Sequence, residues 1–238
     1  MGETEQSSGH KSFHVKLDAL KERIVAMSQR AEELLALAVT AFLNRDAGKA
    51  GAVLAADPEV DAIEVEVEQL AISLLALQQP MARDLRFIVT AIKISGDLER
   101  VADHAVNIAQ SAQRMAGMRS PVLSPPPEIK DMADRARRML SDALDAMVRL
   151  DGALGRDVCR RDDEVDKLHE SLFRIMLTHM AEAPATITVA LEMLLVSRNL
   201  ERVADLATNI AEDAVYLAEG KTIKHHLEAR SGASPLHV

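Results

Sequence analysis

The chain has 238 residues, enough for one large domain or two small ones, and sets 37 acidic against 28 basic side chains for a net charge of −9. That acidity, with 2% aromatic residues and no tryptophan, excludes a nucleic-acid partner, which calls for a basic face and stacking rings. A 48% apolar share in which Ala, Leu, Val and Met must fill the core suits closely packed helices.

Residues 1–12, MGETEQSSGHKS, hold no apolar run of the secretory type and are expected to be a flexible N-terminus. From position 13 the helical period takes over: Leu17, Leu20, Ile24, Met27, Ala31, Leu34, Leu35 and Ala38 form one stripe over 13–44. A short helical piece is expected at 46–56. A second long helix then starts at Asp57 and Pro58, read as N-cap and first helical position, and runs to the break at Pro80. A third helix is expected from Met81 to Ala116.

The segment GMRSPVLSPPPEIK packs four prolines together and breaks the pattern. Helices are then expected near 128–152, 162–181 and 186–219, with LDGALGRD as a connection and a second boundary at 182–184. The reading is all-α: two tandem three-helix bundles related by internal duplication, at 13–118 and 128–220. A Pro-rich linker spans 119–127, and a polar, flexible tail spans 221–238. His225 and His226 lie in that tail and read as solvated.

Duplication is visible in the letters. Leu98–Ala109, LERVADHAVNIA, returns as Leu200–Ala211, LERVADLATNIA, with two differences. DPEVDAIE at 57–64 answers DDEVDKLH at 162–169. On a helix Glu99, Asp103 and Asn107 line up one turn apart, as do Glu201, Asp205 and Asn209. Asp57 with Asp61, and Asp162 with Asp166, repeat the spacing of four on the neighbouring helix. Acids so spaced repel. Solvation, the adjacent Arg100 and Arg202, or a bound cation offsets the repulsion.

Two facing carboxylate pairs offer oxygen ligands suited to magnesium, manganese, calcium or iron. The plain alternative is a solvated face that keeps a structural bundle soluble, with Asn107 and Asn209 bonding across the bundle. Recurrence in both halves favours ligands over that alternative. A carboxylate-bridged metalloenzyme is the third reading, weakened because no Glu-x-x-His occurs anywhere. His104 is matched by Leu206, so it is read as a satisfied or exposed histidine rather than a shared ligand.

Cys159 is alone, which fits a cytoplasmic protein without internal disulfides. Arg160 and Arg161 beside it are candidates to lower its pKa, but no base neighbours it and an ordinary cysteine is expected. No apolar run approaches the ~20 residues that span a bilayer, so no membrane insertion is expected.

The two LERVAD segments, with ARDLRFIVTAIKISGD before the first and TITVALEMLLVSRN before the second, resemble the PhoU family of phosphate-transport regulators. The resemblance covers nearly the whole chain. It implies two three-helix bundles and no catalysis. It also implies a negative regulator of phosphate uptake and of the phosphate-starvation response, acting on the phosphate ABC transporter ATPase and the phosphate-sensing histidine kinase, often as a homodimer. It implies metal clusters on Glu/Asp-x-x-x-Asp motifs, here Glu99/Asp103 and Glu201/Asp205, with Asp57/Asp61 and Asp162/Asp166 as the second acidic helix of each bundle. Iron, manganese or magnesium are the ions expected, and the protein is expected in the cytoplasm, at the inner face of the membrane through its partners. The chain departs from the common pattern at Ala102, Ala204 and Leu206. Its Asp84–Arg86 has no second-half counterpart, so the two bundles are expected to differ.

Overall fold

The computed structural model describes residues 2–78, 80–118 and 123–223, the side chains of 2–12 and 78 excepted. Positions 119–122 of the linker expected at 119–127, and the tail histidines His225 and His226, lie outside the described residues. Six helices follow in order: α1 Gly2–Asn44, α2 Ala47–Gln78, α3 Ala82–Ala116, α4 Pro127–Arg149, α5 Gly152–Glu182 and α6 Ile187–Glu219. A single 3₁₀ turn, Pro184–Thr186, leads into α6. Helix α1 takes in the N-terminal residues expected to precede it.

Each half is an up-down-up bundle, α1–α2–α3 and α4–α5–α6. The apolar stripe of α1 from Leu17 to Ala38 is buried throughout, against α2 and α3. Alanine fills much of the rest, Ala102, Ala105, Ala109 and Ala112 on α3 and Ala204, Ala207, Ala211 and Ala214 on α6. Small side chains of this kind let helices approach closely, which is how a core with so few rings reaches native density.

Two further boundaries differ from expectation. Helix α2 is continuous from Ala47 through Pro58 instead of starting at Asp57. Pro58 is exposed while Ala50, Val53 and Val60 are buried on either side of it. Packing on both sides of Pro58 holds the helix together across the missing hydrogen bond. Helix α5 begins at Gly152, ten positions ahead of the expected 162. Its start is set by Asp151, whose side chain accepts from the amides of Ala153 and Leu154, both at 3.0 Å. Asp46 caps α2 in the same way, from the amide of Lys49 at 3.0 Å. Each cap follows a residue in the left-handed region, Arg45 at φ 52° and Leu150 at φ 53°. The duplication therefore extends into the turns.

The bundles join along α3 and α6, which run antiparallel. Arg114 grips Glu192 with two bonds of 2.7 and 2.9 Å, His104 Nδ1 meets Asn199 Oδ1 at 2.9 Å, and Lys93 Nζ lies 3.9 Å from Asp213. In each pair an early residue of one helix meets a late residue of the other. That register places a pseudo-twofold axis near the middle of both helices, where the LERVAD segments pass each other.

Gly155 shows how tightly α5 rides on α6. A Cβ there would sit 2.8 Å from Val215 Cγ2 and 2.9 Å from the Ala211 carbonyl oxygen, inside any real contact. Gly155→Ala gains about 1 kcal/mol of helix propensity but forces a backbone shift costing ~1–3 kcal/mol. The expected result is a net loss of stability, read as a lower midpoint in urea unfolding with an unchanged slope.

Candidate functional site

The acids of the first half converge from α2 and α3. Partial burial pushes the Asp57 carboxyl up, and Asp61 and Asp103 push it further. Burial does the same to Glu99, reinforced by Asp103, Glu64 and Asp61, with Arg100 pulling the other way. Glu64 is raised by burial and then by Glu68, Asp61 and Asp103, again against Arg100. The four expected carboxylates of this half thus share one electrostatic neighbourhood. Glu64 is a fifth member that sequence reasoning left out, although its spacing of three from Asp61 was a readable signal.

The second half is more strongly perturbed. Burial, then Asp205, Asp166, Asp163 and Glu201, push Asp162 up to about 6, and its Oδ1 is buried without a hydrogen-bond partner. Asp166 is raised by burial, Asp205 and Asp163, with His169 opposing. His169 stands where the first half has Glu64, and its Nδ1 meets Ser197 Oγ at 3.0 Å. One half therefore offers carboxylates alone and the other has an imidazole at its edge.

The supporting residues behave unequally. Arg100 leans 3.4 Å from Asp97 on its own helix, whereas Arg202 binds Asp205 at 2.9 Å and so occupies a candidate ligand. Asn107 is exposed, and Asn209 lines the cleft shared with Arg100 and Asp213. Neither makes a hydrogen bond among the described residues, so the bonds across the bundle offered by the solvated-face alternative are not formed. His104 is satisfied by Asn199, as the sequence implied. Cys159 is not activated by its neighbouring arginines: burial, then Glu212 and Asp162, push its thiol up to about 11. Arg160 binds Asp157 instead, and Arg161 binds Asp142 and Asp157.

As the side chains stand, no three His, Cys, Asp or Glu residues among those described close into a group able to hold an ion. The donor chemistry nonetheless fits a cation: hard oxygens facing each other across two helices, and an orphaned Asp162 Oδ1 turned away from water.

Six antiparallel helices in two fused bundles, with carboxylates facing across the last two helices of each, define a duplicated helical scaffold. The PhoU domain model matches residues 24–112 and again 129–214. The chain is 37% identical over 215 residues to the phosphate-specific transport system accessory protein PhoU homolog of Zymomonas mobilis, covering 90% of each chain. It is 39% identical to the homolog of Caulobacter vibrioides over 85% of this chain and 87% of that one. The crystal structure of PhoU from Pseudomonas aeruginosa superposes with a TM-score of 0.83 at 32% identity, over 88% of this chain and all of that one. The chain belongs to the PhoU family, a family of accessory and regulatory proteins and not of enzymes. Among the described residues no helix is long and apolar enough to cross a membrane.

Raised carboxylates have a signed consequence for stability. The folded-state pKa of Asp162 is about 6, above its unfolded value, so the folded form holds the proton more tightly. Its contribution to stability is fully present below the unfolded pKa near 3.9 and is lost as pH rises through 6. Chelator-stripped protein should therefore melt at a higher temperature at pH 5 than at pH 7. Asp162→Asn should raise the pH 7 melting temperature and flatten that difference, as calorimetry at the two pH values would show.

Proposed function

We propose that the protein is a phosphate-transport accessory and regulatory protein: a metal-binding adaptor that restrains uptake and represses phosphate-starvation genes when phosphate is plentiful. The match of both halves to the PhoU domain carries the reading, together with relatives named as accessory proteins of phosphate-specific transport. A relative from Streptococcus pneumoniae, 25% identical with a TM-score of 0.82, is titled a phosphate transport system regulatory protein. The partners proposed for this chain are the phosphate ABC transporter ATPase and the phosphate-sensing histidine kinase.

In this reading Asp57, Asp61, Glu99 and Asp103 hold cations on one bundle and Asp162, Asp166, Glu201 and Asp205 on the other. Glu64 and His169 stand at matching edges. Iron, manganese or magnesium ions would supply the positive charge that lets these carboxylates sit together ionised. The residues do the rest. α2 and α5 carry one pair of acids, α3 and α6 the other, so neutralisation draws the last two helices of each bundle together. Arg100 and Arg202 set how much of the acidic charge stays unbalanced.

Two measurements check this. Elemental analysis of the purified protein should find bound metal that the combined Glu99→Ala and Asp103→Ala variant loses in large part, while circular dichroism shows the helices intact. Affinity capture from phosphate-replete cells should recover the transporter ATPase or the kinase. Unchanged metal in the variant would remove the ligand set, and recovery of neither partner would remove the adaptor.

A further inference from the structure

His169 sets the second acidic cluster apart in kind from the first, which has Glu64 at the matching place. Its position on the hairpin is that of a further rung. The contact with Ser197 puts His169 of α5 opposite that residue of α6. Three positions back along α5 stands Asp166, and four positions on along α6 stands Glu201; one more turn each way brings Asp162 and Asp205. The mutual influence of these groups follows the ladder, with the charge of Asp205 bearing on both Asp162 and Asp166, and His169 on Asp166. The first half repeats the end rung with a carboxylate: Glu64 Oε1 lies 3.8 Å from where a Cβ on Gly96 would stand, next to Ser95.

The hydrogen bonds around the imidazole decide which ring nitrogen is open. Ser197 is wholly buried, and its hydroxyl has one hydrogen, which goes to the Leu194 carbonyl oxygen at 3.0 Å. Ser95 makes the same bond in the first half, to the Ile92 carbonyl oxygen at 2.9 Å, so the direction of this hydroxyl is set by its own helix and not by His169. Ser197 Oγ therefore accepts from His169 Nδ1, 3.0 Å away. A proton on Nδ1 leaves the lone pair on Nε2. Among the described residues no group bonds to Nε2. An outer hydrogen bond that holds one ring nitrogen and so presents the other is the usual support of a metal-ligating histidine. A carboxylate has no hydrogen to give, so Ser95 does nothing comparable for Glu64.

We infer that His169 Nε2 is a ligand of the second bundle's cation, with Ser197 as its positioning residue, so that the two bundles select different ions. The inference rests on the metal-binding reading and deepens it by giving each bundle its own class of ion. Oxygen ligands alone suit magnesium and manganese, whereas imidazole shifts preference toward iron, cobalt, nickel and zinc. The first bundle, with Asp57, Asp61, Glu64, Glu99 and Asp103, is the harder site and takes magnesium or manganese. The second, with His169 beside its acids, takes an ion of the iron-to-zinc series. The competing role for His169 is a plain pin between α5 and α6, which needs Nδ1 only and sets no preference among ions.

The test uses the full chain, stripped of metal and carrying Glu99→Ala and Asp103→Ala so that only the second bundle loads. It is titrated calorimetrically with cobalt(II) and, separately, with manganese(II). His169→Glu installs the first half's residue and should lower the ratio of cobalt to manganese affinity by about tenfold or more, leaving manganese binding little changed. It should also shift the visible band of bound cobalt(II), which reports nitrogen coordination. Ser197→Ala should weaken cobalt binding about tenfold. Circular dichroism verifies the helices of each variant. If His169→Glu leaves the ratio and the band unchanged, His169 is not a ligand and the metal reading stands. If it weakens both ions equally with the band in place, the ring is only a pin, and the inference is overturned. If the parent chain loads but this background does not, the inference falls and the first bundle's ligand set stands. If the parent chain with all its acids takes up neither ion, both fall.

Discussion

Two helices lying antiparallel, with charged side chains shared across their contact, hold the molecule's two halves in one register. Glu192 is almost wholly buried on α6, and a buried carboxylate without a partner is costly enough that it must be met. Arg114 meets it from α3 with a two-pronged grip that tolerates no slip along the helix axis. His104 with Asn199, and Lys93 with Asp213, repeat the constraint at intervals along the seam. Apolar contacts alone between alanine-rich helices would permit several registers. The polar pairs select one, and with it the spacing of everything displayed on the outer face.

That selection also sets how one acidic cluster lies relative to the other. Within each bundle the clusters are local, since α2 and α3, or α5 and α6, are joined by a short turn. Their relation to each other depends on the seam. Arg100 of the first half and Asp205, Arg202 and Asn209 of the second line a single cleft for this reason. The halves remain electrically distinct within that cleft, because Arg202 engages Asp205 while Arg100 turns toward Asp97.

Much of this was legible in the letters. Spacing of three and four gave six long helices, proline gave the breaks, and the repeated LERVAD gave the duplication and the carboxylate rows. What escaped was decided by tertiary packing or by a single side chain. Pro58 read as a start, yet Ala50 and Val53 are buried before it and carry α2 through. Asp151 read as part of a loop, and only its bonds to two amides reveal a helix cap. Glu64 follows Asp61 by three residues, outside the spacing of four that marks the other acids, and only the fold shows it beside them. The partner of His104 was beyond any periodicity, since Asn199 lies on the other bundle. The same holds for the burial that raises Asp162, which no local pattern encodes.

Fusion of the two halves into one chain has its own effect on the seam. Two separate half-chains would form such a contact only at sufficient concentration, and each copy would have to carry both Arg114 and Glu192. Here the symmetry mates of that pair are Tyr216 and Thr90, and the Thr90 hydroxyl is buried with no partner. A linked pair needs the grip only once, because covalent connection keeps the halves together at any dilution. Residues freed from serving both sides can drift apart, as Glu64 and His169, Asp97 and Asn199, and Lys93 and Leu195 have done. The molecule is thus a dimer that cannot dissociate, and its two halves are at liberty to diverge in sequence.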